Sequence, residues 1–270
     1  IDTFGPEMRR IITFYQQFLG PWPFPEIDLF QAPDMWFGFV WIAPHAMVNL
    51  QKTRVMSLQG QEGYFREDTP HLESGVLAHE LAHQYWGHVA RPGTIKDFWI
   101  AETFSELSAC LYVGRQYGLQ DYDARMDSYK EKWEEMDDDV NASLTDAYNS
   151  NYQAPIVYNY GPYVFKMLRA RMNDEPFFAG LNKFLADYNE ESITTDMLQD
   201  TMETAATKRL KVFKADEQEN RAVYSLTEND PAFYSTTDRP NPDTIRAGYG
   251  GVIYDGGFTY DAENNTVTFE

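Results

Sequence analysis

The sequence predicts an α+β fold in which a small N-terminal β-sheet packs on a mainly helical lobe. Three observations carry that expectation. Apolar residues recur at helical spacing over 5–19 and again through most of 69–206. Over 26–59 they gather instead into short aromatic or β-branched runs split by Pro, Gly and Asn. A chain of 270 residues with 43% hydrophobic content holds one large domain or two small ones.

The elements follow in order. Met8, Ile11, Ile12, Phe14, Tyr15, Phe18 and Leu19 form one face of a first helix, which stops at the breaker pair Gly20-Pro21. Segments 27–30, 36–42 and 54–58 read as three or four strands. Thr69-Pro70 reads as an N-cap and first-turn proline. The helix it opens places Leu72, Val76, His79 and His83 on one face. A second helix is predicted over 97–117, ending at Gly118, and a third over 122–136. Segment 137–153 is acidic, Asn-rich and aperiodic, so a loop is expected there. Helices resume over 161–172, 175–188 and 194–206. Residues 214–245 are polar and turn-rich, and 257–269 alternates about Asn264-Asn265 as a hairpin would. The expected division is an N-terminal helix-and-sheet lobe at 1–65, a helical lobe at 66–207, and a polar extension at 208–270. That extension has the character of the edge of a further domain.

Composition removes several function classes. Forty-two acidic against 22 basic residues give a net charge of −20, which repels a phosphate backbone and an anionic membrane surface. Nucleic acid is therefore excluded as the expected partner. No stretch reaches the roughly 18 apolar residues of a membrane-spanning helix, so direct membrane insertion is not expected. The single cysteine, Cys110, rules out an internal disulfide and a cysteine metal cluster. It lies in an apolar helical run, where a buried, inert thiol is expected. The chain begins Ile1-Asp2-Thr3, and is expected to be a piece of a longer parent whose other domains are its partners.

The strongest chemistry lies at His79-Glu80-Leu81-Ala82-His83. Residues four apart on a helix differ by about 40° in direction, so both imidazoles leave one face a turn apart. That spacing lets two nitrogens bind one zinc ion. Glu80, about 100° round the helix, flanks the metal without ligating it, where a general base for an attacking water belongs. A catalytic zinc needs a third protein ligand. Glu102 follows His83 after eighteen residues, on the second predicted helix, and can be aimed back at the pair. The competing reading is two core histidines satisfied by backbone carbonyls. Glu106, four residues after Glu102, is placed either to orient a ligand histidine or to face solvent.

These residues carry a resemblance. His79-Glu80-Leu81-Ala82-His83-Gln84-Tyr85-Trp86-Gly87, the gap, and Trp99-Ile100-Ala101-Glu102-Thr103-Phe104 are similar to the gluzincin metallopeptidases of the membrane alanyl aminopeptidase family, which also contains the leukotriene hydrolases. Segment 23–33 resembles that family's strand entering the catalytic domain, and Tyr158-Asn159-Tyr160-Gly161-Pro162 its Tyr-x-x-Gly segment. The similarity covers about residues 10–205. It implies a thermolysin-like catalytic domain with a single Zn²⁺ held by His79, His83 and Glu102. Glu80 is then the base, and Tyr158 stabilises the oxyanion, with Tyr160 and Tyr163 as competitors for that role. The implied function is peptide-bond hydrolysis by a zinc-dependent peptidase of aminopeptidase type, with peptides as substrate and an extracytoplasmic or membrane-tethered parent.

One segment departs from the family pattern. Where aminopeptidases of the family carry Gly-x-Met-Glu-Asn, this chain has His45-Ala46-Met47-Val48-Asn49. Val48 stands where the family's glutamate binds the substrate α-ammonium, and an isopropyl group supplies no countercharge. The strand can still offer Ala46 and Met47 backbone groups to an extended peptide. Ala101 and His88 replace asparagines usual in the family, and His71 is expected to be exposed near a helix start. The alternatives are an endopeptidase or blocked-peptide hydrolase lacking the amino anchor, and a non-catalytic zinc- or peptide-binding scaffold. Retention of Glu80 speaks against the scaffold, because a structural zinc site needs no base.

Overall fold

The structure, a computed structural model, describes residues 5–31, 45–48, 71–135, 143–151, 153–188, 191–206, 258–261 and 266–269. Seven α-helices carry most of the described chain: α1 (Gly5–Phe18), α2 (Leu72–Ala82), α3 (Trp99–Tyr117), α4 (Leu119–Glu134), α5 (Gly161–Met172), α6 (Asp174–Asp187) and α7 (Thr195–Ala206). Three two-stranded pairs complete it. In the first, β1 (Asp28–Gln31) runs parallel to β2 (His45–Val48), with Leu29 opposite Ala46 and Phe30 opposite Met47. In the second, β3 (Arg91–Pro92) lies parallel to β4 (Ser192–Ile193). In the third, β5 (Phe258–Asp261) and β6 (Thr266–Phe269) are antiparallel, as the alternation about Asn264-Asn265 predicts. The expected strands at 36–42 and 54–58, and the expected cap at Thr69-Pro70, lie outside the described residues. No helix among the described residues is long and apolar enough to cross a membrane.

Helix α3 is the axis of the core. From Trp99 to Gly114 every residue is buried except Glu102. A helix apolar on all sides must be surrounded, and α2, α4 and α5 pack around this one. Trp86 stacks on Phe104 with ring centres 4.7 Å apart, and Phe104 meets Phe165 of α5 at 4.5 Å. Ile11, Phe14, Tyr15 and Phe18 of α1 turn into the same core, at the spacing the sequence predicts. The Tyr15 hydroxyl donates to the Ala78 carbonyl at 2.7 Å, locking α1 to α2.

Two local structures replace simpler expectations. The second helix begins at Trp99 rather than at 97, because Ile95–Asp97 forms a 3₁₀ turn. Thr94 caps that turn, accepting from Lys96 N and donating to Asp97 at 2.6 Å. Asp97 is then buried and accepts from the Thr195 amide at 2.8 Å and its hydroxyl at 3.0 Å. The start of α3 is thereby clasped to the start of α7. Within the expected loop at 137–153, Leu144–Asn149 is a 3₁₀ helix capped by Ser143, because Leu144 and Ala147, three apart, both reach the core.

A π-helix, Pro155–Tyr160, runs directly into α5, which periodicity alone does not reveal. It is bound to α3 by Thr103, whose hydroxyl donates to the Val157 carbonyl at 2.9 Å. Gly161 makes that approach possible, since a Cβ there would overlap Thr103 Oγ1 and stand 2.8 Å from its Cγ2. Gly161→Ala is expected to lower stability by about 1–3 kcal/mol through overpacking. Urea unfolding checks this, and an unchanged midpoint would contradict the packing described.

Candidate metal centre

Helix α2 brings His79 and His83 to one face, a turn apart, with ring centres 4.8 Å apart and planes at 81°. Their Nε2 atoms stand 3.1 Å from each other. Glu102 Oε2, from α3, lies 3.3 Å from the first and 3.4 Å from the second. The three atoms therefore make a nearly equilateral triangle. A tetrahedral zinc ion with ligand distances of about 2.0–2.1 Å has ligand–ligand edges of about 3.3–3.4 Å, so the triangle has the size of one tetrahedral face.

The far side of each ring fixes its tautomer. His79 Nδ1 lies 2.8 Å from Glu106 Oε2, and His83 Nδ1 lies 3.0 Å from the Trp86 carbonyl oxygen. Carboxylates and carbonyls only accept, so both Nδ1 atoms carry hydrogen, which leaves the two Nε2 atoms facing the triangle to hold either a proton or a cation. Ser105 Oγ, also 3.0 Å from His83 Nδ1, steadies the second ring. Burial works against protonation of His79, yet the hydrogen bonds to Glu102 and Glu106 raise its pKa to about 10. The cluster is built to hold positive charge at this point, as a proton or as a cation.

Glu80 is buried, and its Oε2 has no hydrogen-bonding partner among the described residues. Burial, opposed by the two histidines, lifts its carboxyl to about 7. Glu106 shows the reverse. Burial favours its neutral form, but Arg125 and His79 hold the carboxyl down at about 2. Neighbouring carboxyls driven apart in this way are suited to different tasks.

Of the three candidate tyrosines, the half-buried Tyr158 is the one beside the histidines, its ring 5.7 Å from that of His79. Burial first, and then the charge of Glu102, push its phenol well above the usual range, so it remains a donor. Tyr160 is buried and stacked on Trp133 at 4.1 Å, while the Tyr163 ring lies under Lys166. Tyr158 sits in the π-helix, a distortion frequent at functional sites. Ala46, Met47 and Val48 form β2, which packs beside α2; Asn49 lies outside the described residues. His88 stays out of the triangle, half-buried and edge-on to Phe24, and His71 is exposed and stacked on Tyr117. The buried Cys110 thiol is pushed by burial up to about 12, as an inert thiol should be.

Sequence reasoning missed Ser105, Arg125 and Tyr129, which complete the surroundings of the two imidazoles. Arg125 had one available signal. It stands among Tyr122, Met126 and Tyr129 on the buried face of α4, a place that a cation takes when a carboxylate lies opposite, as Glu106 does here.

A helix pair presenting two histidines, an adjacent glutamate and a distant carboxylate defines a metallopeptidase-type domain. Residues 4–217 match the peptidase family M1 domain, and the chain belongs to that family. It is 22% identical over 225 residues to probable aminopeptidase 1 of Saccharolobus solfataricus, covering 77% of this chain and 27% of that protein. It is 24% identical over 201 residues to human endoplasmic reticulum aminopeptidase 2, covering 70% and 20%. A variant of an M1 zinc metallopeptidase from Deinococcus radiodurans has the same fold, with a TM-score of 0.62 at 17% identity over 78% of this chain and 44% of that one. The chain thus spans about a quarter of the length of the curated relatives it matches.

Zinc at about 1,000 times its dissociation constant should stabilise the protein by about 4 kcal/mol, read as a rise in Tm. His79→Ala or His83→Ala should abolish that rise. A Tm indifferent to zinc in the parent would remove these side chains as metal ligands.

Proposed function

We propose that this chain is the catalytic domain of a zinc-dependent aminopeptidase-type peptidase. One Zn²⁺ is held by His79, His83 and Glu102. The observation that carries the reading is the triangle of donor atoms beside a buried Glu80 oxygen that no group among the described residues satisfies. When bound, the ion acts as a Lewis acid that acidifies a water and polarises the scissile carbonyl.

The remaining work falls to the chain's own groups. Glu80, buried beside the donor triangle, takes a proton from the attacking water and passes it to the departing amine, so one peptide bond and one water become a carboxylate and an amine. Tyr158 keeps its phenolic hydrogen and donates to the oxygen that becomes negative as the carbonyl is attacked. Glu106 and the Trp86 carbonyl hold the two imidazoles in one tautomer throughout. The edge of β2, at Ala46 and Met47, would pair with an extended peptide. Because Val48 supplies no charge, either another carboxylate meets the substrate's α-ammonium or recognition of a free N-terminus is weakened.

The wider organisation follows the same reading. We assign a thermolysin-like arrangement with a lobe at 1–65, whose α1 is keyed into the helical core, a zinc lobe at 66–207 and an extension at 208–270. The partners are peptides and the further domains of a longer parent. An extracytoplasmic or membrane-tethered parent has support in the relative named for the endoplasmic reticulum.

A fluorogenic aminoacyl-amide tests the proposal. Turnover should vanish with chelator and return with zinc. Glu80→Gln should retain zinc but lose about 10²–10⁴-fold in kcat. Tyr158→Phe should lose about 10²–10³-fold in kcat with KM little changed. An N-acetylated peptide cleaved as fast as its free counterpart would overturn the aminopeptidase assignment, and zinc-independent turnover would overturn the whole reading.

A further inference from the structure

Below the metal helix lies a cation that the reaction itself does not use. Arg125 of α4 is fully buried, donating from Nε to the Tyr129 hydroxyl at 2.8 Å and from Nη2 to Glu106 Oε1 at 2.9 Å. The Tyr129 hydroxyl donates to the same Glu106 oxygen. With Oε1 taken up on the α4 side, the other oxygen, Oε2, meets His79 Nδ1. The carboxylate is thus held at both ends.

Space for the guanidinium comes from α2. Gly75 sits one turn before His79, and a Cβ there would stand 2.5 Å from Arg125 Nη1, 2.7 Å from Nη2 and 2.8 Å from Cζ. The guanidinium is pinned by its bonds to Tyr129 and Glu106 and is not free to swing aside. A glycine inside a helix weakens it, so its presence calls for a local reason, and the approach of Arg125 supplies one.

We infer that Arg125, admitted by Gly75, is a positioning residue for the metal centre: it orients Glu106, which fixes the His79 ring and turns its Nε2 toward the cation. The inference rests on the proposed reading of His79 as a ligand. Groups that orient a ligand histidine change metal affinity by about 10–100-fold when removed.

The test measures the zinc Kd of the full chain by competition with a chromophoric chelator. Gly75→Ala, which leaves every polar group in place, and Arg125→Met should each weaken zinc binding by about 10–100-fold. Arg125→Lys, which keeps the charge but not the fork, should fall between Met and the parent. Met126→Ala is a control that cuts into the same core beside Arg125; it should lower Tm and leave the zinc Kd within about twofold, since a cavity costs stability without touching Glu106. In a Glu106→Gln background, Arg125→Met should add little further loss, because the two act along one path. In the zinc-loaded parent, nitrogen-resolved NMR should find the His79 ring proton on Nδ1. Gly75→Ala and Arg125→Met binding zinc like the parent, or Met126→Ala losing as much as Arg125→Met, would each overturn the inference, whereas a His79 proton on Nε2 would overturn the ligand assignment. If Gly75→Ala and Arg125→Met prevent folding, Arg125→Lys decides, and zinc binding equal to the parent's would overturn the inference. A parent that binds no zinc overturns the ligand assignment instead, so the two failures are distinguishable.

Discussion

Between Trp99 and Gly114 helix α3 has one residue that is not buried, and that residue is Glu102. A helix enclosed on every other side cannot roll without forcing large aromatic side chains out of a close-packed interior. The carboxylate that completes the donor triangle is therefore aimed by the packing of Trp99, Phe104 and Leu107 as much as by its own contacts. The π-helix that presents Tyr158 depends on the same helix through Thr103 and Gly161. Two candidate catalytic groups from separate elements thus share one rigid support, as a site demanding accurate geometry requires.

The electrostatics add a second constraint. Glu80, Glu102 and Glu106 stand around two imidazoles in a largely water-free space, an arrangement that would repel itself without compensation. Arg125 answers Glu106 on one side, and the positive charge that the histidine pair attracts answers Glu102 on the other. Glu80, with the weakest compensation, is left with the raised carboxyl. The division of labour among three chemically similar side chains is thus set by what lies behind each.

Much of this is legible in the chain itself, for a physical reason. Helical periodicity reports which residues share a face, so His79, His83 and the buried face of α1 can be read locally, and Glu102 follows once a second helix is recognised. What lies across from a face is not encoded in its spacing. The meeting of Gly75 with Arg125, fifty positions apart, and of Ser105 with His83 are products of tertiary packing. Spacing does not reveal the 3₁₀ helix at Leu144–Asn149, because two buried residues are too few to set a period, nor the π-helix, whose extra residue per turn blurs one. Resemblance separates Tyr158 from Tyr160 and Tyr163, and the Tyr158 ring lies beside that of His79.

The clasp between Asp97 and Thr195 joins positions 98 residues apart. During synthesis both histidines and Glu102 leave the ribosome well before Thr195 does. The contact therefore closes a long loop, whose entropy cost falls on one of the supports at the start of α3. A chain stopped short of α7 would carry His79, His83 and Glu102 but not the Thr195 amide and hydroxyl that hold Asp97 beside the start of α3.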